Sequence, residues 1–185
     1  MQAIVAICSA GRIDRSGHMN PWHIAQMNVG TVLYPLEDPR IADFMASLDE
    51  INALADASCG FVWRLQSASG NATDIKTSND TQFIVNMSVW ASAEALLDFV
   101  YKSSHRLIMA RRREWFVRPS NAYMVLWWVA AGTIPTVDAG LARLAHLQAH
   151  GPSPYAFTFK DKFPPPGEVG APADRRPDAD CVGWR

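Results

Sequence analysis

Apolar and polar residues alternate with a period of two along four stretches of the chain and recur at helical spacing along three others. In residues 22–30, WHIAQMNVG, Trp22, Ile24, Gln26 and Asn28 fall on one face, and His23, Ala25, Met27 and Val29 on the other. Residues 82–90, QFIVNMSVW, place Phe83, Val85, Met87 and Val89 on one side and Gln82, Ile84, Asn86 and Ser88 on the other. The shorter FVWRLQ, 61–66, and AYMVLWWVA, 122–130, complete four predicted strands. In the last of these Trp127 and Trp128 are adjacent, so they point to opposite faces. YAFTF, 155–159, predicts a short extra strand.

Helical spacing begins after Asp38-Pro39. Asp38 is a natural N-cap, and Pro39 suits a first helical position because its missing N–H would have no partner there. Ile41, Phe44, Met45, Leu48, Ile51 and Ala55 then form one apolar stripe, and Gly60 marks the stop. Ser92 predicts the cap of a second helical region, 93–117, with a break at Lys102-Ser-Ser-His105. A third helix is expected over 136–149, closed by Gly151-Pro152. Residues 67–81, rich in Ser, Asn, Asp and Thr, read as a loop between antiparallel strands.

The order β-α-β-β-α-β with an appended C-terminal helix predicts an α+β fold of the ferredoxin-like kind, its helices on one face of an antiparallel sheet. The other face would then be wet, paired or wrapped around a ligand. It is expected to carry Gln26, Asn28, Asn86 and Ser88 mixed with Trp22, Ile24 and Ile84, which suits either a pocket or a half-solvated dimer surface. One domain over 22–163 fits the 185 residues and an apolar content of 49%, enough for a sizeable core. Residues 1–21 are expected to be a disordered arm, and 164–185 a Pro/Gly-rich tail.

Charge narrows the partners. Seventeen basic residues against eighteen acidic ones give a net charge of −1, which argues against wholesale binding of nucleic acid or a membrane surface. No apolar run reaches the roughly 18 residues of a membrane span. The three cysteines, Cys8, Cys59 and Cys181, are too few and too scattered for a disulfide framework, so a reducing cytoplasm is the simplest setting. No metal cluster is evident. There is no phosphate loop, dinucleotide fingerprint, nucleophile elbow or zinc-protease motif, so no nucleotide cofactor is indicated.

His105 is the first catalytic candidate. It lies four residues after Tyr101 and four before Met109, on a stripe where a half-buried imidazole could act as a base or a ligand, or simply be a satisfied core histidine. Residues 101–118 carry six basic side chains against Glu114 alone. They read as a guide for an anion or as a solvated face paired with Asp43, Asp49 and Glu50, the second being favoured. Cys59, at a helix C-terminus where the dipole raises a thiol pKa, is a poor nucleophile.

The runs WHIAQMNVGTVLYPLEDPRIADFMASLDEINALADASCGFVWRLQ, VNMSVWASAEALLDFVYKSSHRLIMARRREWF and YMVLWWVAAGTIPTVDAGLARLAHLQAHGPSPYAFTF resemble the bacterial domain-of-unknown-function family 3291 over about residues 22–165. That resemblance implies the dimeric α/β-barrel superfamily, with the antibiotic-biosynthesis monooxygenases and the IsdG-type haem-degrading enzymes. It implies a homodimer, each subunit keeping its own cleft between sheet and helices. In the haem-degrading relatives an Asn on the first strand and a Trp and a His near the second helix form the working set. Asn28 and His105 fall at the Asn and His positions, and Phe99 stands where the Trp would be.

The expected function is therefore a monooxygenase-like enzyme without a cofactor, oxidising or isomerising an aromatic or polyketide-like metabolite, with His105 and Asn28 catalytic. Substrate contacts are expected from Trp22 and Gln26 on the first strand, from Trp63, Arg64, Asn86 and Trp90 on the next two, from Phe99, Tyr101 and Met109 on the helices, and from Trp128. The alternatives are a haem-binding protein with His105 as axial ligand, and a non-catalytic dimeric binding module.

Overall fold

The structure is a computed structural model that describes residues 21–167 apart from Lys76, Ser78 and Asn79. The expected arm, and the tail beyond Gly167, lie outside the described residues. Four strands, β1 (Trp22–Thr31), β2 (Phe61–Arg64), β3 (Phe83–Trp90) and β4 (Met124–Ala130), form one antiparallel sheet in the order β2-β3-β1-β4. Helix α1 (Ala42–Asp56) links β1 to β2. Helices α2 (Ala93–Lys102) and α3 (His105–Arg111) link β3 to β4, and α4 (Val137–His150) follows.

The local signals act where the sequence placed them. The Asp38 carboxylate accepts the Arg40 N–H at 2.9 Å and, with Pro39, starts a 3-10 turn that leads into α1. Ser92 caps α2 by accepting from Ala95 N, and Thr136 caps α4 by accepting from Ala139 N. At the break between α2 and α3 the Ser103 hydroxyl donates back to Phe99 O and accepts from His105 N. One side chain thus closes α2, opens α3 and sets His105 at the first position of the new helix. β2 is shorter than expected, with an irregularity between Phe61 and Trp63. Residues 155–159 make isolated bridges, the principal one between Phe157 and Leu126, and not a strand.

The sheet is covered on both faces, which corrects the expectation of one open face. Ile24 and Leu126 pack with Trp90, with Ala55 of α1 and with Leu96 of α2. On the opposite face Ala25, Met27, Val85, Met87, Val89 and Trp127 pack against Leu144 and Leu147 of α4. Gly140 allows that contact: a Cβ there would fall 2.8 Å from Met27 Sδ and 3.3 Å from Trp127 Cη2. The mixed face of Gln26, Asn28, Asn86 and Ser88 therefore lies beneath α1–α3. Alternation groups residues by face. It does not say which face the crossover helices will cover.

Beyond α3, Arg112–Glu114 form a 3-10 turn, and the chain then returns alongside the end of β1. Val117 N donates to Thr31 O, and Phe116 bridges Val32. The Phe116 ring lies so close to Gly30 that a Cβ there would fall 2.7 Å from it. Glycine at this position brings the end of the basic stretch onto the sheet.

Cys59 is disulfide-bonded, which corrects the expectation of unpaired thiols at this position. Cys8 and Cys181 lie outside the described residues. Among the described residues no helix is long and apolar enough to cross a membrane.

Candidate functional site

A cavity of about 140 Å³ lies between the sheet and helices α1 and α3. Its floor is Asn28 and Gly30 of β1 with Ile84 and Asn86 of β3. Its walls are Phe44, Leu48 and Ile51 of α1, and His105, Ile108 and Met109 of α3. Arg112, Trp115 and Phe116 close one end, while Asn52, Asn71 and Thr73 stand at the other. The lining is largely apolar with a few convergent polar groups, the usual make-up of a small-molecule site. The volume is close to that of a cavity that holds one benzene ring, roughly 150 Å³.

Each polar group has an identifiable support. Asn28 and Asn86 stand directly opposite each other in the β1–β3 ladder, so both amides serve the same space. Asn52 Nδ2 donates to Asn71 Oδ1 at 2.6 Å, tying α1 to the 67–81 loop at the mouth. His105 is wedged against Phe99, ring centroids 4.9 Å apart, and Phe99 stacks in turn on Trp90 at 5.0 Å. Its Nδ1 is buried without a hydrogen-bond partner. Burial, assisted by the Arg112 charge and opposed by a backbone hydrogen bond at Val100, lowers the His105 pKa to about 4. The imidazole is therefore neutral at physiological pH, with a lone pair able to take a proton.

Of the expected site residues, Asn28, Asn86, His105 and Met109 line this cavity. The others do not. Gln26 is 5% exposed and accepts from the Ser88 hydroxyl, which itself accepts from Trp90 Nε1. That chain satisfies buried polar groups inside the core. Trp90 and Phe99 support His105 from behind. Trp63 packs into the core on the α4 side of the sheet. Arg64 bonds Asp56 at 2.8 Å and the Gly70 carbonyl at 2.6 Å, bracing β2 against α1. Tyr101 borders a separate void of about 30 Å³ that shares Asn28 and Met109. Trp128 packs near Phe157 and donates from Nε1 to Phe163 O, so it is no open platform. Trp22 is half-buried at the start of β1, outside the lining.

Arg112 was missed as a site residue, because the basic stretch read as a solvated face. Arg111 fits that reading: it pairs with Asp43 and Glu114, each at 2.8 Å. Arg112 turns inward. It is 8% exposed, with its guanidinium carbon 4.3 Å from the Tyr123 ring centroid. Successive helical residues point about 100° apart, so three arginines in a row cannot share one face. That spacing was the available signal.

Among the described residues there is no group of three or more His, Cys, Asp or Glu side chains placed to hold a metal ion. A haem does not fit this arrangement. The cavity is smaller than the roughly 300 Å³ at which pockets for drug-sized ligands begin, and Phe99 packs against the His105 ring.

Among the described residues the chain is thus a mixed α+β protein with a four-stranded antiparallel sheet, four α-helices and a small, partly open cavity. The chain belongs to the family described as domain of unknown function DUF3291, whose model matches residues 23–172. No curated protein matches it. Among solved structures it is similar to NE2512, a protein of unknown function from Nitrosomonas europaea, at 16% identity and a TM-score of 0.38, covering 63% of this chain and 97% of that one. It is also similar to Rv0793 from Mycobacterium tuberculosis, at 19% identity and a TM-score of 0.39, covering 62% and 99%. PA3566 from Pseudomonas aeruginosa matches at 13% and 0.40, covering 63% and 100%. Likenesses of this size carry no functional argument.

Proposed function

We propose that the cavity is the active site of a small-molecule enzyme, monooxygenase-like and cofactor-independent, acting on a single-ring aromatic or similarly sized enolisable metabolite. The observation that carries this is the convergence of a neutral His105 and the paired Asn28 and Asn86 on one apolar, ring-sized space. His105 takes a proton from a ring hydroxyl or an activated carbon of the substrate. The two amides stabilise the oxyanion that results. That anion either reacts with dioxygen or is reprotonated at another atom, giving an oxidised product or an isomer. A cavity of this kind counts against a non-catalytic module with a filled interior.

The strand order β2-β3-β1-β4, with crossover helices after β1 and β3, supports a ferredoxin-like reading and with it the relation to the antibiotic-biosynthesis monooxygenases. In that reading a homodimer would pack around α4, since α4 already occupies part of the second sheet face. The cytoplasm stays the proposed setting, although the bond at Cys59 is of a type rare there.

The test is exchange of solvent deuterium into hydroxylated monocyclic aromatics, followed by mass spectrometry, beside oxygen uptake on the same compounds. The wild type is expected to catalyse one or both, and folded His105→Ala neither. Equal rates for the two proteins would overturn the role of His105.

A further inference from the structure

We propose that the substrate of this cavity carries a second hydrogen-bond donor, a hydroxyl or amino group on its ring, and that Asn52 is the residue that selects it. The inference rests on the cavity being the active site and adds the hydrogen-bonding class of what enters it.

The observation that carries it is a chain of three side chains with a fixed direction. Asn71 Nδ2 donates to Asp49 Oδ1 at 3.3 Å, and Asn52 Nδ2 donates to Asn71 Oδ1 at 2.6 Å. A carboxylate only accepts, so Asp49 draws the nitrogen of the Asn71 amide to itself and turns its oxygen towards Asn52. That oxygen in turn draws the nitrogen of Asn52 towards the loop. The atom that Asn52 is left to present at the cavity mouth is its carbonyl oxygen, an acceptor. Asp49 stands outside the lining, while Asn52 and Asn71 belong to it. An outer carboxylate thus sets what an inner amide shows.

A second polar group of α1 agrees. Ser47 also lines the cavity, and its hydroxyl donates to Phe44 O at 2.7 Å. Its proton is used within the helix, so its oxygen offers lone pairs alone. The polar groups of the α1 wall therefore present acceptors, and the neutral His105 of the α3 wall presents a lone pair too. A ring with one donor satisfies one wall, and a ring with two satisfies both. A site built to take a donor rejects the analogue that lacks it, because its own acceptor is then left without a partner.

The experiment is calorimetric titration of the full chain with meta-aminophenol and meta-cresol, and with the para isomers of both. Within each pair the amino and methyl groups are of nearly the same size, and only the amino group donates. The aminophenol is expected to bind about tenfold more tightly than the cresol in at least one pair, a modest ratio because water reaches the mouth. The preference is expected to vanish in Asn52→Leu. It is expected to shrink in Asp49→Leu, which lies outside the lining and only releases the direction of the chain. Melting curves check that both variants fold, and exposed Asp49 keeps the test open should Asn52→Leu not fold. Equal binding within both pairs to the wild type overturns the donor inference and leaves the cavity reading standing. A preference that persists in folded Asn52→Leu, or is undiminished in Asp49→Leu, overturns the selection by Asn52. Failure of all four compounds to bind overturns the cavity reading, and this inference with it.

Discussion

Phe99 and His105 lie ring against ring, centroids 4.9 Å apart, across the break that separates α2 from α3. Ser103 makes the break and Trp90 backs the phenyl ring, so the imidazole is pinned by one serine and two aromatic residues. Pinning of this kind gives a catalytic group a fixed orientation and, through burial, a shifted charge equilibrium.

The first prediction concerns that equilibrium. The folded His105 pKa of about 4 lies below its ordinary 6.5. Between those values the unfolded chain binds the proton and the folded one does not, so stability falls as pH drops from 6.5 towards 4. The loss attributable to this group is on the order of 3 kcal/mol. Denaturant melts across that range, compared with His105→Gln, should show wild-type stability falling more steeply. Parallel curves would place the titration elsewhere.

Removing the support should release the ring. In Phe99→Ala, NMR titration of His105 is expected to give a midpoint nearer 6.5, because water reaches the imidazole. Loss of a partly buried phenyl ring should also lower stability, by no more than about 3 kcal/mol.

Gly30 should tolerate no larger side chain. A valine there meets the Phe116 ring, which must shift. Overpacking of this sort costs about 1–3 kcal/mol. The shift would also disturb the Arg112 end of the cavity. Gly30→Val is therefore expected to weaken ligand binding as well as lower the melting temperature.

The buried chain from Trp90 through Ser88 to Gln26 offers a stability test away from the chemistry. Ser88→Ala leaves the Trp90 indole N–H and the Gln26 carbonyl oxygen without their shared hydroxyl. A cost of about 1–3 kcal/mol is expected in denaturant melts, with unchanged binding of any cavity ligand.

Strand positions and two helix starts were legible because each rests on a local rule: alternation for β1 and β3, the Asp38-Pro39 pair ahead of α1 and the Ser92 cap of α2. Asn28 and Asn86 were read as polar members of a mixed strand face and His105 as a member of a helical stripe, and the three line one cavity. The covered face was not legible. Both faces of β1 are partly apolar, and the choice depends on where α1 and α4 settle after residues far apart in sequence have packed. Arg112 was hidden for a related reason. Its neighbours Arg111 and Arg113 carry the same charge, and which of the three turns inward depends on how the chain after α3 packs onto the sheet. Gln26 and Trp128 misled because each finds its partner, Ser88 or Phe163, only in the folded chain.

The helix α4 has a consequence for mass action. It covers the second face of the sheet from within the same chain, at a contact close enough to require glycine at position 140. A sheet that depended on a second subunit for that cover would lose stability on dilution, because its folding would be tied to association. Here the cover is tethered, and its effective concentration is set by the short link after β4. Each molecule thus carries its own cover for part of that face, so association of two copies adds to a fold that one chain already supports, and dilution should lower the thermal midpoint only by the share that association contributes.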